Sequence, residues 1–149
     1  MRAVVQRVIS ASVKVEDKIA GKIGQGILLL LGVEERDEEK DLEYMCEKVP
    51  NLRIFEDENG KMNKSLQDVE GSILVISQFT LLGDARKGRR PSFTDAARPE
   101  KAIPVYEKFI ASMKEKNITT EAGEFGADMK VELINDGPVT ILLDSKRVF

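Results

Sequence analysis

The sequence predicts an α+β fold with a β-rich body and two main flanking helices. Several strand-like segments come before any helical pattern, and only residues 37–49 and 99–116 show helical periodicity. After the second helical segment the chain returns to strand-like sequence. With 149 residues, the chain is expected to fold as a single domain, residues 1–149, large enough to bury a core.

The first third of the chain is strand-like. Residues 3–9 and 11–15 have β-type character, with valines among their apolar positions. A Gly-Gln-Gly segment precedes the apolar run 27–33, which predicts a central strand. Arg7 is a charge inside an otherwise apolar strand. Its residue type alone indicates an outward-facing surface position.

The first helix is predicted to begin after Asp37, an N-cap residue type, and to end at Pro50. Four apolar side chains at i, i+3, i+4 and i+7 give it one buried face: Leu42, Met45, Cys46 and Val49. Beyond it, a short strand at 53–55 and the Asn59-Gly60 pair predict a hairpin.

A buried strand at 72–76 changes character abruptly at its end, where Ser77-Gln78-Phe79-Thr80 follows. Polar groups at the end of a core strand lie at the rim of the core, where binding sites are common. The same residues could instead satisfy local backbone groups at the strand terminus. Both interpretations are open at this point.

A basic loop follows this strand end. Between Asp84 and Arg98 the chain has five cationic and two acidic residues, a net charge of +3. The cationic residues are Arg86, Lys87, Arg89, Arg90 and Arg98. Such a loop suits contact with phosphate groups, or it is a solvated surface loop without a partner.

The second helix is predicted from Pro99 to Lys116 and is followed by strand-like segments at 118–122, 129–134 and 139–143. The last two are separated by Asn135-Asp136-Gly137-Pro138. This segment can be read as a tight hairpin turn, or as a rigid tip that projects backbone carbonyls outward.

The composition excludes several kinds of chemistry. Without histidine, and with Cys46 as the one cysteine, the chain cannot build a Ser-His-Asp or Cys-His centre or the usual zinc sites. No cofactor or metal is expected, since the glycine-rich phosphate-binding motifs are also missing. The lone cysteine and the lack of a signal or membrane-spanning pattern predict a cytoplasmic protein. With a net charge of −3, any nucleic-acid binding must use a local basic patch.

Five segments together resemble the D-aminoacyl-tRNA deacylase family, in order and over the whole chain. They are residues 1–8 (MRAVVQRV), 77–80 (SQFT), 87–93 (KGRRPSF), 123–129 (GEFGADM) and 135–140 (NDGPVT). The resemblance implies a cytosolic homodimer with a β-barrel-like body of mixed and antiparallel strands. It also implies an enzyme that hydrolyses the ester of a D-amino acid, or glycine, with the terminal adenosine of tRNA.

The resemblance also implies residue roles. The catalytic segment would be Ser77, Gln78, Phe79 and Thr80. A cis Gly137-Pro138 peptide would enter the partner's pocket, with Arg7 holding it. The remaining roles are apolar walls for Phe125 and Met129, an adenosine contact for Ala102, and tRNA backbone contacts for Arg86, Lys87, Arg89 and Arg90.

An activated ester needs only a held water and donors for the developing oxyanion, for which the backbone N–H groups near Phe79 and Thr80 are candidates. The vicinal ribose hydroxyl of the substrate would polarise the water, while a covalent Thr80 nucleophile is the rival mechanism. Two other functions stay open. One is a non-catalytic nucleic-acid-binding module that uses the Arg86–Arg90 loop, and the other is a hydrolase of small-metabolite esters.

Overall fold

The structure is a computed structural model that describes residues 1–149. Its strands are β1 (Arg2–Val15), β2 (Lys18–Ile23), β3 (Gly26–Gly32), β4 (Phe55–Glu56), β5 (Met62–Lys64), β6 (Ser72–Ser77), β7 (Thr120–Ala122) and β8 (Met129–Asp144). The helices are α1 (Glu39–Asn51) and α2 (Pro99–Glu115), and a 3-10 turn spans Phe79–Leu82. The two predicted helices and the predicted strand-rich body are confirmed.

One six-stranded mixed sheet forms the body, in the order β2-β1-β3-β6-β7, with β8 on the free edge of β1. The first half of β1 pairs with β3 and the second half with β2, whereas β8 follows both halves. Strand β2 lies close to β7, as shown by the distance of 3.1 Å between a Cβ built at Gly21 and the carbonyl oxygen of Ala122. The sheet therefore nearly closes into the barrel-like body that the resemblance implied.

The core lies on both faces of this sheet. A cluster of 22 buried residues joins one face of β3 and β6 to the two helices. A second cluster of seven lies between the opposite face of those strands, β2 and the second half of β1. Successive residues of β6, such as Leu74 and Val75, enter different clusters, which explains why this strand is apolar on both faces.

The start of α1 differs from the prediction. Glu38, not Asp37, is the N-cap, and it exchanges hydrogen bonds with Asp41 in a capping box. The Asp37 carboxylate instead accepts from the Met1 ammonium and from Lys146 Nζ, each at 2.6 Å. Pro50 lies within the last turn of α1 and does not end the helix before it.

The hairpin interpretation of residues 129–143 is wrong. Both segments belong to β8 and run antiparallel to β1, with Asn135 opposite Val8 and Thr140 opposite Gln6. The extra residues 136–139 therefore have no partner residues in β1, and the strand continues in the same direction after them. The Asn59-Gly60 hairpin, in contrast, is confirmed between β4 and β5.

Neither helix is both long and apolar enough to cross a membrane.

Candidate active site

An open pocket of about 270 Å³ lies at the end of β6. Nine residues line it: Ile76, Ser77, Gln78, Phe79, Phe125, Gly126, Ala127, Met129 and Val131. The fold thus brings three of the four predicted catalytic residues together with the two predicted wall residues. Thr80 is exposed beside the pocket and does not line it.

The backbone at this strand end is held by its neighbour β3. The Gln78 N–H donates to the Leu31 carbonyl at 2.9 Å, and the chain then enters the 3-10 turn. The first N–H groups of a helical turn have no acceptor within it. Those of Phe79 and Thr80 also donate to no acceptor elsewhere in the loops and turns. Two backbone donors are therefore free at the pocket edge.

A narrow cavity of about 10 Å³ lies behind Phe79 and is lined in part by Ala102, Tyr106 and Phe125. The Tyr106 hydroxyl donates to the Val75 carbonyl at 2.8 Å, which fixes α2 against the strand that carries the pocket. Burial raises the pKa of Tyr106 to about 12, so this hydroxyl stays a neutral donor. Tyr106 lies in the helix predicted from Pro99 to Lys116, but nothing in the sequence pattern assigned it a role at the site.

Arg7 is buried, with 6% of its surface exposed, so the surface interpretation drawn from its residue type is wrong. Its Nε donates to the Asp136 carbonyl at 3.2 Å, and its Nη1 donates to the Ile54 carbonyl at 2.8 Å. The guanidinium thus holds the extra residues of β8 in one position relative to the loop between α1 and β4.

The extra residues form a small projecting tip, which we call the 136–139 tip. Asn135 closes its base, because its Nδ2 donates to the carbonyls of Arg7 and Val139, each at 2.9 Å. At its end the Gly137-Pro138 peptide is cis and both residues are exposed. Gly137 has φ +119°, a conformation that favours glycine.

One chain does not bring all predicted site residues together. Arg7, Gly137 and Pro138 are absent from the lining of both cavities that contain Ser77 and Phe79. The predicted residues therefore form two groups, the pocket and the tip. No ionisable side chain lines the pocket, and no cluster of three or more acidic or cysteine side chains suited to a metal ion occurs in the chain.

The basic loop forms an open groove of about 480 Å³ lined by Asp84, Arg86, Lys87, Arg90 and Ser92. Arg86 pairs with Asp84 at 2.7 Å, and this hydrogen bonding lowers the pKa of the Asp84 carboxyl far below its usual range. Lys87, Arg89 and Arg90 are exposed and have no acidic partner within 4.0 Å. The groove therefore presents uncompensated positive charge.

Comparison with known proteins adds independent information. Residues 4–144 match the family model described as D-Tyr-tRNA(Tyr) deacylase. Proteins named D-aminoacyl-tRNA deacylase from Thermosipho melanesiensis and Clostridium botulinum (strain Alaska E43) are 63% and 61% identical, each over 100% of both chains.

Two solved structures share the fold. One, the "c-Myc DNA Unwinding Element Binding Protein", is 44% identical with a TM-score of 0.91 and covers 97% of this chain and 98% of its own. The other, described as a probable eukaryotic D-amino acid tRNA deacylase, is 18% identical with a TM-score of 0.81, covers 95% of this chain and 97% of its own, and supports the fold alone. By its full-length sequence similarity, this chain belongs to the D-Tyr-tRNA(Tyr) deacylase family.

Proposed function

We propose that this chain hydrolyses the ester of D-aminoacyl-tRNA, and of tRNA mischarged with glycine, to release free tRNA and the amino acid. The observation that carries this proposal at the site is the pocket edge at Phe79 and Thr80, with two free backbone donors and no ionisable side chain in the lining. Such a site suits an activated ester, whose cleavage needs oxyanion stabilisation more than a strong base.

In this mechanism the ester carbonyl lies against the Phe79 and Thr80 N–H groups, which stabilise the negative charge that develops on its oxygen. The substrate's own vicinal ribose hydroxyl polarises the attacking water. Phe125 and Met129 form apolar walls for the amino acid, and Ala102, buried behind Phe79, is the position that the family resemblance places near the adenosine. The lone pairs of the exposed tip carbonyls would hold the substrate ammonium.

The proposal includes a homodimer in which the 136–139 tip of one subunit enters the pocket of the other. Its support is that the tip is exposed and fixed by Arg7 and Asn135, yet lies outside the lining of its own chain's pocket. A wall of fixed carbonyls leaves no room for an L side chain, so the selectivity excludes L residues and tolerates many D side chains.

The tRNA is the partner outside the pocket, with Arg86, Lys87, Arg89 and Arg90 directed at its phosphates. This assignment is supported by the lack of acidic partners for three of these four side chains. The tRNA substrate and the free Cys46 thiol agree with a reducing, cytoplasmic location, which stays part of the proposal.

The decisive experiment compares D-aminoacyl-tRNA, L-aminoacyl-tRNA and a simple ester such as p-nitrophenyl acetate. We expect turnover of the first, with kcat/KM at least a hundredfold above that for the L form. Equal turnover of both tRNA esters would remove the chiral proposal, and turnover of the simple ester alone would support a metabolite hydrolase.

Thr80→Ala should retain hydrolysis of D-aminoacyl-tRNA within about tenfold of the unmodified chain, because the proposed donor is the Thr80 N–H and not its hydroxyl. The side-chain hydroxyl accepts from Gln78 Nε2 and has no neighbouring base that would activate it as a nucleophile. Rapid-quench kinetics with mass spectrometry provides the measurement. An acyl-threonine adduct on the unmodified chain would establish the rival covalent mechanism.

Gly32→Ala should lower kcat/KM by about ten- to a hundredfold, because a Cβ there would lie 2.9 Å from the Gln78 carbonyl oxygen and 2.7 Å from Leu82 Cδ2. The new methyl group pushes the 3-10 turn, and with it the two donors, away from β3. Gly24→Ala is the matched control, since its Cβ would have no neighbour within 4 Å. Equal rates for the two variants would show that β3 does not position the turn.

A non-catalytic nucleic-acid-binding module is the second candidate. It is favoured by the basic groove and by the name of the 44% identical solved structure, which describes binding of a DNA element. This candidate predicts tight, salt-dependent binding of duplex DNA by a protein that does not turn over D-aminoacyl-tRNA.

A further inference from the structure

Two exposed aromatic side chains stand between the pocket and the basic groove. Phe79 is 54% exposed and Phe93 is 38% exposed. Their ring centroids lie 5.3 Å apart at an interplanar angle of 74°, an edge-to-face pair. Single exposed apolar side chains are common on folded proteins, so it is the pairing of two aromatic rings between a pocket and a basic groove that points to a ligand.

The position of Phe93 is fixed by the loop that forms the groove. Asp84 and Ser92 exchange two backbone hydrogen bonds of 2.8 and 2.9 Å, which close the loop directly before Phe93. The ring then lies over the backbone of Gly83, where a Cβ would come within 2.9 Å of Phe93 Cε1. Phe93 is therefore a pre-positioned aromatic surface.

The pair connects two sites of different chemistry. Phe79 lines the pocket, whereas Ser92, the neighbour of Phe93, lines the groove whose cations Lys87 and Arg90 lack acidic partners. Aromatic rings on which bases stack, next to cations that follow the phosphates, are the two elements of single-stranded nucleic-acid binding.

We propose that the ring of Phe93, held by its edge-to-face contact with Phe79, is a stacking platform for an unpaired base of the tRNA 3′ end upstream of the terminal adenosine, while the cations of the groove hold the phosphates beside it. The inference rests on the proposed function and deepens it, since it makes the single-stranded end, and not only its last nucleotide, part of the recognised substrate. Phe93 acts here in substrate binding and not in the chemical step.

The test compares two substrates, a D-aminoacyl-adenosine and a D-aminoacyl ester of the trinucleotide CCA, with the unmodified chain and Phe93→Ala. We expect Phe93→Ala to raise KM for the trinucleotide ester about tenfold or more, with kcat unchanged and with no effect on the adenosine ester. Phe93→Tyr should retain the low KM, whereas Phe93→Leu, which is apolar but has no π-face, should behave like Phe93→Ala. Ile19→Ala removes another exposed apolar side chain and should change nothing.

An equal loss on both substrates would assign Phe93 a structural role and overturn the platform, as would an unchanged KM for the trinucleotide ester. Titration calorimetry with the CCA trinucleotide that carries no amino acid separates this inference from the proposed function. Weaker binding by Phe93→Ala supports the platform even if no ester is hydrolysed, and equal binding by both proteins rejects it. Absence of D-aminoacyl-tRNA turnover by the unmodified chain would instead reject the proposed function.

Discussion

Gly137→Ala is expected to lower kcat/KM for D-aminoacyl-tRNA by about a hundredfold or more. A displacement of about 1 Å at a reacting site causes a rate loss of this size. Two effects combine at this residue. Its φ of +119° is rarely adopted by residues with a side chain, and a Cβ would lie 2.8 Å from Arg7 Nη2. The methyl group therefore pushes on the guanidinium that positions the 136–139 tip. Single-turnover hydrolysis of D- and L-aminoacyl-tRNA measures the loss.

Gly60→Ala is the matched control for this substitution. Gly60 also has a positive φ, +73°, but a Cβ there would meet no atom within 4 Å, and the residue lies in the β4–β5 hairpin. A similar fall in the melting temperature of both variants, with a loss of activity in Gly137→Ala alone, would assign the effect to the tip. Unchanged activity in Gly137→Ala would reject the placement of the tip in the site.

A mixing experiment tests whether that site is shared between subunits. Gly137→Ala damages the tip, and Ser77→Leu fills the pocket, so each pure variant should have only a small residual activity. If the tip of one subunit serves the pocket of the other, each mixed dimer contains one undamaged site. An equal mixture, unfolded and refolded together, should then recover about a quarter of the unmodified activity. No recovery would indicate a site formed within one chain.

The sequence predicted the positions of the helices and strands better than the pairing of the strands in the sheet. Continuous apolar runs identified β3 and β6, and the helical spacing identified α1 and α2, because these patterns depend only on which face is buried. The path of β8 stayed open between a hairpin and a projecting tip because Asn135-Asp136-Gly137-Pro138 can form a tight turn, whereas the actual course depends on β1, more than a hundred residues away. Local chemistry did not show that both flanking segments share one partner strand.

The site shows the same division. The SQFT segment and the basic loop were found because polar or charged residues follow a buried strand directly in the chain. Arg7 was misread from residue type alone because its acceptors, the Ile54 and Asp136 carbonyls, are distant in sequence. Tyr106 lies in a predicted helix and Phe93 ends the KGRRPSF segment, but neither pattern assigned them a role at the site. Such contacts follow from tertiary packing and not from any local pattern.

Asp37 is the second residue at which a large effect is expected, in this case on stability. Its carboxylate is 2% exposed and joins the Met1 ammonium to Lys146, so it connects both ends of the chain to the start of α1. Although burial opposes it, hydrogen bonds to Asp37 and Glu34 raise the pKa of Lys146. Its ammonium therefore stays charged and in need of an acidic partner.

Asp37→Asn keeps the shape of the side chain but removes its charge, which leaves two cations facing each other in a largely buried site. Removing one partner of a buried ion pair costs about 3–5 kcal/mol, and Glu34 and Asp41, which also face Lys146, place the expected loss at about 3 kcal/mol. For a domain of this size that lowers the melting temperature by about 6–12 °C.

The matched control is Glu58→Gln, which breaks an exposed ion pair with Lys64 at a similar distance of 2.7 Å and should leave the melting temperature unchanged. Calorimetry of both variants makes the comparison. Asp37 lines neither the pocket nor the groove, so hydrolysis at 20 °C should be the same in all three proteins. An unchanged melting temperature in Asp37→Asn would mean that Glu34 and Asp41 replace the lost charge fully, and that the connection between the chain ends does not depend on one carboxylate.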